Sequence, residues 1–245
     1  MNNKKIFDNY LTGHYAACEK TNFNKIDDVL QLLKKNSRVL DYNLADFFKV
    51  HVGKEKHILD LGCGYGSFLY FLQSHGYKNV SGVDISTEEI NICKKIFPSF
   101  KFSQLDIFNF LKSANEKFDV IYLSHVLEHI KKDQLFDFLA SVKNTLTDDG
   151  IFIIIVPNSS AYFNSAANRY GDITHELGFN EISLRQLLMV AEFKNIDIRN
   201  YFGASSIWLR VCRKMALFAF ETFIQVLGYE KQNTYTPSIQ ALIRK

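Results

Sequence analysis

The sequence carries no block of like charge. Its 29 lysines and arginines and 26 acidic residues leave a net charge of +3 spread along the chain, so composition makes no case for a nucleic-acid partner. Paired cysteines are missing as well. Cys18, Cys63, Cys93 and Cys212 stand far apart and form no CxxC, which argues against a zinc knuckle or a disulfide framework and fits a reducing cytoplasm. No stretch reaches the roughly 18 apolar residues of a membrane span. The opening "MNNKKIFDNYLTGHYAACEK" lacks an uninterrupted apolar h-region. A soluble, unprocessed, cytoplasmic protein is the expectation. Internal repeats and low-complexity segments are also lacking.

What is present is enough apolar residue, 47% of 245, to build a real core. Asn22 to Val50 spaces its apolar residues by three and four and predicts two short amphipathic helices, part of an N-terminal helical cap over residues 1–50. Beyond it, residues 51–245 read as one domain. "HILDLG", "VSGVDIS", "FKFSQLDIF", "FDVIYLSH" and "GIFIIIVPN" are short β-branched runs. Helical segments such as "STEEINICKKIF" and "KDQLFDFLASVKNTL" lie between several of them. That alternation predicts an α/β fold, a doubly wound and mostly parallel sheet covered on both faces. "SLRQLLMVAEF" reads as a further helix, "KNIDIRNYF" and "TPSIQALIRK" as the last two strands, giving seven in all. A helical insertion at 205–230 falls before the final strand. This insertion holds the only tryptophan, Trp208, and is apolar nearly all round. It suits a packing helix, a lid, a homodimer contact or a peripheral membrane contact.

In such sheets ligands bind beyond the carboxyl ends of the strands, where the loops carrying Gly62, Asp84, Asp106, His125 and Asn158 emerge. "LDLGCGYG" places Gly62, Gly64 and Gly66 in a turn between a strand and a helix, bare enough for a ligand to approach the backbone. The dinucleotide fingerprint is GxGxxG. Here the spacing is GxGxG, with Ser67 at the place of the third glycine, which favours S-adenosylmethionine. Asp84 ends the second strand, where its carboxylate can accept both ribose hydroxyls. Asp106, after the third strand, is placed to accept from an adenine amine, with Ile107 beside the ring.

From His57 to Asn158 the sequence resembles the class I S-adenosylmethionine-dependent methyltransferases. "LDLGCGYG", "GVDIS", "LDIF", "FDVIYLSHVLEHI" and "LTDDGIFIIIVPN" match the family's successive motifs in order. The resemblance implies the Rossmann-like seven-stranded fold and S-adenosyl-L-methionine as cofactor, with S-adenosyl-L-homocysteine as product. It assigns Asp60 and the glycine turn, including Cys63, to the methionine part, Asp84 and Ile85 to the ribose side and Asp106 and Ile107 to the adenine. Ser124 completes the cofactor set.

Amino-methylating DNA enzymes of the class carry Asn or Asp followed by Pro-Pro-Tyr after the fourth strand. This chain has "LSHVLEHI" there, which argues against DNA and favours an oxygen, or less often a carbon, acceptor. His125, Glu128 and His129, at i, i+3 and i+4, are expected to share one face of a helix. His125 or His175 is the expected catalytic base, with Glu128 beside it and His129 in a structural role. Ubiquinone-pathway and small-RNA methyltransferases hold a divalent metal with a similar cluster, so a metal site at His125, Glu128, His129 and His175 stays open, although no metal is expected. The loop 157–182 is polar and aromatic and offers Asn158, Arg169, Tyr170, Asp172 and Glu176 as substrate contacts. Tyr15, with Tyr10 and His14, would stand near the opening. "RYGDITHELGFNEISLRQLL" resembles the matching segment of methyltransferases encoded with bacterial capsule and lipopolysaccharide pathways. That resemblance implies O-methylation of a glycan or nucleotide-linked sugar precursor, on a sugar hydroxyl or a phosphoramidate or phosphate oxygen. The alternatives are a small aromatic or quinone acceptor, and a non-catalytic, cofactor-binding partner subunit.

Overall fold

The computed structural model describes residues 22–23, 25–203, 207–228 and 233–245. Tyr10, His14 and Tyr15 lie outside the described residues. Seven strands form one sheet in the order β3-β2-β1-β4-β5-β7-β6. They are β1 Ile58–Leu61, β2 Val80–Asp84, β3 Lys101–Gln104, β4 Phe118–Ser124, β5 Leu146–Pro157, β6 Lys194–Tyr201 and β7 Ser238–Arg244. β1 to β5 pair in parallel, and β7 runs antiparallel to both β5 and β6.

The central strands read as unbroken apolar runs because both faces are covered. Alternate residues of β5 show the division. Ile151, Ile153 and Ile155 join one buried layer, whereas Phe152, Ile154 and Val156 join the other. The first layer is closed by α1 Ile26–His51, α2 Ser67–Ser74 and α3 Thr87–Ile96. On the far side pack α4 Ile107–Ser113, α5 Leu135–Thr145 and α7 Glu181–Val190. The short α6 Ser165–Tyr170 lies in the loop after β5, and α8 Ile207–Val226 falls between β6 and β7.

Two local expectations differ from the structure. Where two helices were expected, one long helix runs over Ile26–His51, since the polar stretch "KKNSR" contains neither proline nor glycine to stop it. Asp106 follows the third strand, as the sequence implies. β3 ends at Gln104, and the Asp106 side chain caps α4 by accepting from the Phe108 and Asn109 N–H groups at 3.0 and 3.1 Å. α8 is not buried all round: Trp208, Met215, Phe218 and Phe223 are exposed, while Phe220 packs on Tyr162 and Phe163. Among the described residues no helix is long and apolar enough to cross a membrane.

Candidate active site

The strand order reverses between β1 and β4, and the loops leaving the carboxyl ends of β1, β2 and β4 meet there. The turn after β1 is tied down by its own backbone. The Gly62 and Cys63 N–H groups donate to the Val83 carbonyl at 2.8 and 2.9 Å, and Gly66 N–H donates to the Cys63 carbonyl at 3.0 Å. Gly64 and Gly66 hold φ of 51° and 96°, a region that costs other residues strain. A Cβ on Gly64 would meet only one Glu89 oxygen, at 3.4 Å, whereas one on Gly66 would lie 2.6 Å from Phe97.

Asp84 closes the turn from β2. Its Oδ2 accepts from Gly64 N–H and its Oδ1 from Ser86 N–H, both at 2.9 Å. Burial raises the Asp84 carboxyl above its ordinary range, against the pull of these two donors. Asp60, buried on β1, is pushed well above that range by burial and then by Asp84. Glu89 of α3 is raised in the same way. Three acids thus crowd beneath the turn, a place where a cationic ligand is electrostatically welcome.

Two cavities meet over the turn. The smaller, about 230 Å³, is bounded by Asp84, Ile85, Asp106, Ile107, Phe108 and Val126. Asp106 uses Oδ1 for its cap, and Oδ2 has no hydrogen-bond partner among the described residues. The larger, about 610 Å³, reaches from Asp60 and Cys63 past the Phe68 and Tyr122 rings to Asp172 and His175. Those two rings stack with centroids 3.8 Å apart. Tyr122 and Tyr201 also line this cavity, and burial pushes both phenols up so that they keep their protons. Gly62, Gly64, Ser124, His125 and His129 border both spaces.

His125, Glu128 and His129 do not share a helix face. Only Leu127–His129 is helical, as one 3₁₀ turn, and His125 precedes it with a left-handed backbone, φ 55°. The bend turns the His125 ring toward the cavities, its Nδ1 3.4 Å from Glu128 Oε1. Glu128 is buried and His125 half-exposed. His129, assigned a structural role by the sequence, stands at the junction of the cavities, and burial lowers its pKa.

The loop after β5 behaves differently from a set of substrate contacts. Asn158 is fully buried. Its Nδ2 donates to the Thr234 and Thr236 carbonyls and its Oδ1 accepts from Ser160 N–H, so it pins the loop and cannot reach an acceptor. The Arg169 guanidinium donates to the His175 and Glu176 carbonyls at 2.7 and 3.0 Å, bracing the segment that carries His175. Tyr170 points to solvent, and neither it nor Glu176 borders a cavity. Asp172 and His175 do. Gly66 also lies outside both linings; it serves the close packing of the turn on Phe97. The sequence reading missed Glu89, Tyr201 and Thr174. Only Glu89 had a local signal, three residues after the Ser86 helix cap.

A family model described as a methyltransferase domain matches residues 18–198. A polyamine aminopropyltransferase of Buchnera aphidicola subsp. Schizaphis graminum is 30% identical over 162 residues, 60% of this chain and 54% of that protein. A ubiquinone biosynthesis O-methyltransferase of Glaesserella parasuis is 30% identical over 114 residues, covering 43% of this chain and 47% of its own length. The chain thus spans about half the length of the curated relatives it matches. A solved S-adenosylmethionine-dependent methyltransferase from Archaeoglobus fulgidus shares the fold with a TM-score of 0.63 at 22% identity, over 85% of this chain and 94% of that one.

Proposed function

Since the chain belongs to the methyltransferase-domain family, we propose that it moves a methyl group from S-adenosylmethionine to an acceptor oxygen on a bacterial surface-glycan precursor. The observation that carries this reading is the pair of cavities joined across Gly62, Gly64, Ser124 and His125. Adenosine takes the smaller one. Asp84 faces the ribose, Asp106 Oδ2 accepts from the adenine amine, and Ile85 and Ile107 flank the ring. The methionine part lies over the glycine turn beside Asp60, which brings the sulfonium methyl to the mouth of the larger cavity.

Transfer is an in-line displacement. The acceptor oxygen forms its bond to the methyl carbon while the carbon–sulfur bond breaks and its electron pair returns to sulfur, leaving the neutral thioether. The acceptor proton passes to His125, whose Nδ1 stands 3.4 Å from Glu128 Oε1. Asn36, Asp172, His175 and Ser238 give the larger cavity hydrogen-bonding side chains suited to a sugar hydroxyl or a phosphate-like oxygen.

A second reading, a small aromatic or quinone acceptor, draws on the ubiquinone-pathway relative and on the Phe68–Tyr122 stack. Release of S-adenosylhomocysteine by the purified protein separates the two. Turnover on nucleotide-linked sugars or capsule-modification intermediates supports the glycan reading, and turnover confined to catechols refutes it.

A further inference from the structure

We propose that α8 is a self-association surface, on which the α8 of a second copy of this chain packs antiparallel. Along this 20-residue helix Trp208, Cys212, Met215, Ala219, Thr222 and Val226 follow one another at alternating steps of four and three, and all six are exposed. Residues repeated in that way form one stripe down a helix about 30 Å long. Such a stripe is the seam along which helices pair. On a helix whose outer face meets only water, these positions are polar.

The exposed area is what a dimer needs. Trp208 and Val226 are each 80% exposed, Phe218 73% and Met215 68%. With Val211 and Phe223 beside the stripe, the helix shows about 900 Å² of largely apolar surface, against the roughly 800 Å² that each partner gives to a stable interface. The largest apolar patch of a typical monomer is only about 300–600 Å².

Self-complementarity decides the occupant. A two-fold axis level with Leu217, the midpoint of the stripe, sets each residue opposite the one equally far beyond that point on the second copy. Trp208 then meets Val226, Met215 meets Ala219, and Cys212 meets Thr222. The stripe maps onto itself, and its two largest side chains face smaller ones, the relief that close helix packing uses. A lipid surface is fluid, accepts any apolar face and asks for no such match.

Pairing also bears on the larger cavity. Phe220 of α8 packs against Tyr162 and Phe163 with ring centroids 5.0 and 5.4 Å apart. Those two residues begin the loop that brings Asp172 and His175 to the cavity wall. A dimer that holds α8 therefore braces that wall. The pairing itself does not rest on the methyl-transfer reading.

The test is sedimentation of the purified full chain over a dilution series. A mass of two copies is expected for the wild type. Met215→Glu, which places a charge at the centre of the seam, should raise the dimer dissociation constant by at least about 30-fold with unchanged circular dichroism. Val190→Glu should leave it unchanged, because that exposed residue lies at the end of α7, at the opposite edge of the sheet. Thr222→Cys should gain a crosslink between copies with a short bismaleimide, through Cys212 of the second copy. In the wild type the two Cys212 positions stand about 15 Å apart along the pair, so they crosslink poorly. A wild type that stays a single copy, a Met215→Glu dimer as tight as the wild type, or no gain of crosslinking in Thr222→Cys overturns the proposal. So does a single-copy wild type that sediments with phosphatidylcholine and phosphatidylglycerol vesicles and loses that binding in Met215→Glu, which would assign the face to lipid.

Discussion

Replacing Gly64 or Gly66 with alanine separates the cofactor role of the turn from its packing role. At Gly64 the backbone holds φ 51°, a left-handed conformation that costs an alanine about 1–2 kcal/mol. The new methyl would touch only one Glu89 oxygen, at 3.4 Å, so it would project into the space where the two cavities join. Intrusion of that size costs about 1–3 kcal/mol when a ligand fills the space, or roughly 5- to 150-fold in Kd. For a chain of this length the strain lowers Tm by roughly 2–8 °C. At Gly66 the order reverses. Its methyl would lie 2.6 Å from Phe97 and 3.2 Å from Cys93, at φ 96°, and it borders neither cavity. Strain and overpacking together cost about 2–5 kcal/mol, with cofactor affinity unchanged in the molecules that remain folded. Calorimetric titration with S-adenosylhomocysteine well below each variant's Tm reads the difference. Wild-type affinity in folded Gly64→Ala, or a large affinity loss in folded Gly66→Ala, would refute the placement of the cofactor over this turn.

His125→Gly should lower kcat by roughly 10²- to 10⁴-fold, the usual share of a general base. Tm should hold, because relief of the left-handed backbone, about 1 kcal/mol, offsets the added chain entropy of glycine; undiminished kcat would remove His125 from the chemistry. The raised Asp60 carboxyl gives a pH prediction with a definite sign. Its folded-state pKa lies above the unfolded value, so the native chain binds more protons and stability falls as pH rises from the ordinary carboxylate range through the raised value. A ligand ammonium beside it favours the ionised form, so S-adenosylhomocysteine should bind more weakly as pH falls through that range. 5′-Methylthioadenosine, which has no ammonium, should show a flatter profile, and Asp60→Asn should abolish the difference. An unchanged difference in Asp60→Asn would assign the methionine part elsewhere.

The strands and most helices were legible because apolar periodicity is local, and the parallel runs carry it without interruption. The turn was legible for a related reason: three glycines at alternate positions leave few other uses. The acceptor side was not. "NSSAYFNSAANRYGDITHEL" offers many polar side chains, and sequence does not tell which are spent on the loop itself. Asn158 and Arg169 turn out to hold the backbone, whereas Thr174, with no motif around it, orients His129 across 45 residues. The pattern HxxEH suggested a helix face, but a left-handed residue at His125 ends the regular spacing before it begins. The single long α1 was misread for the opposite reason, a polar patch taken as a break where no breaking residue stands.

The most direct test of the methyltransferase account is a crystal structure of the protein with S-adenosylhomocysteine. The account predicts adenosine in the smaller cavity between Asp84 and Asp106, the amino acid portion beside Asp60, and the sulfur at the junction facing His125. A ligand whose sulfur points away from the larger cavity, or one seated outside both spaces, would contradict it.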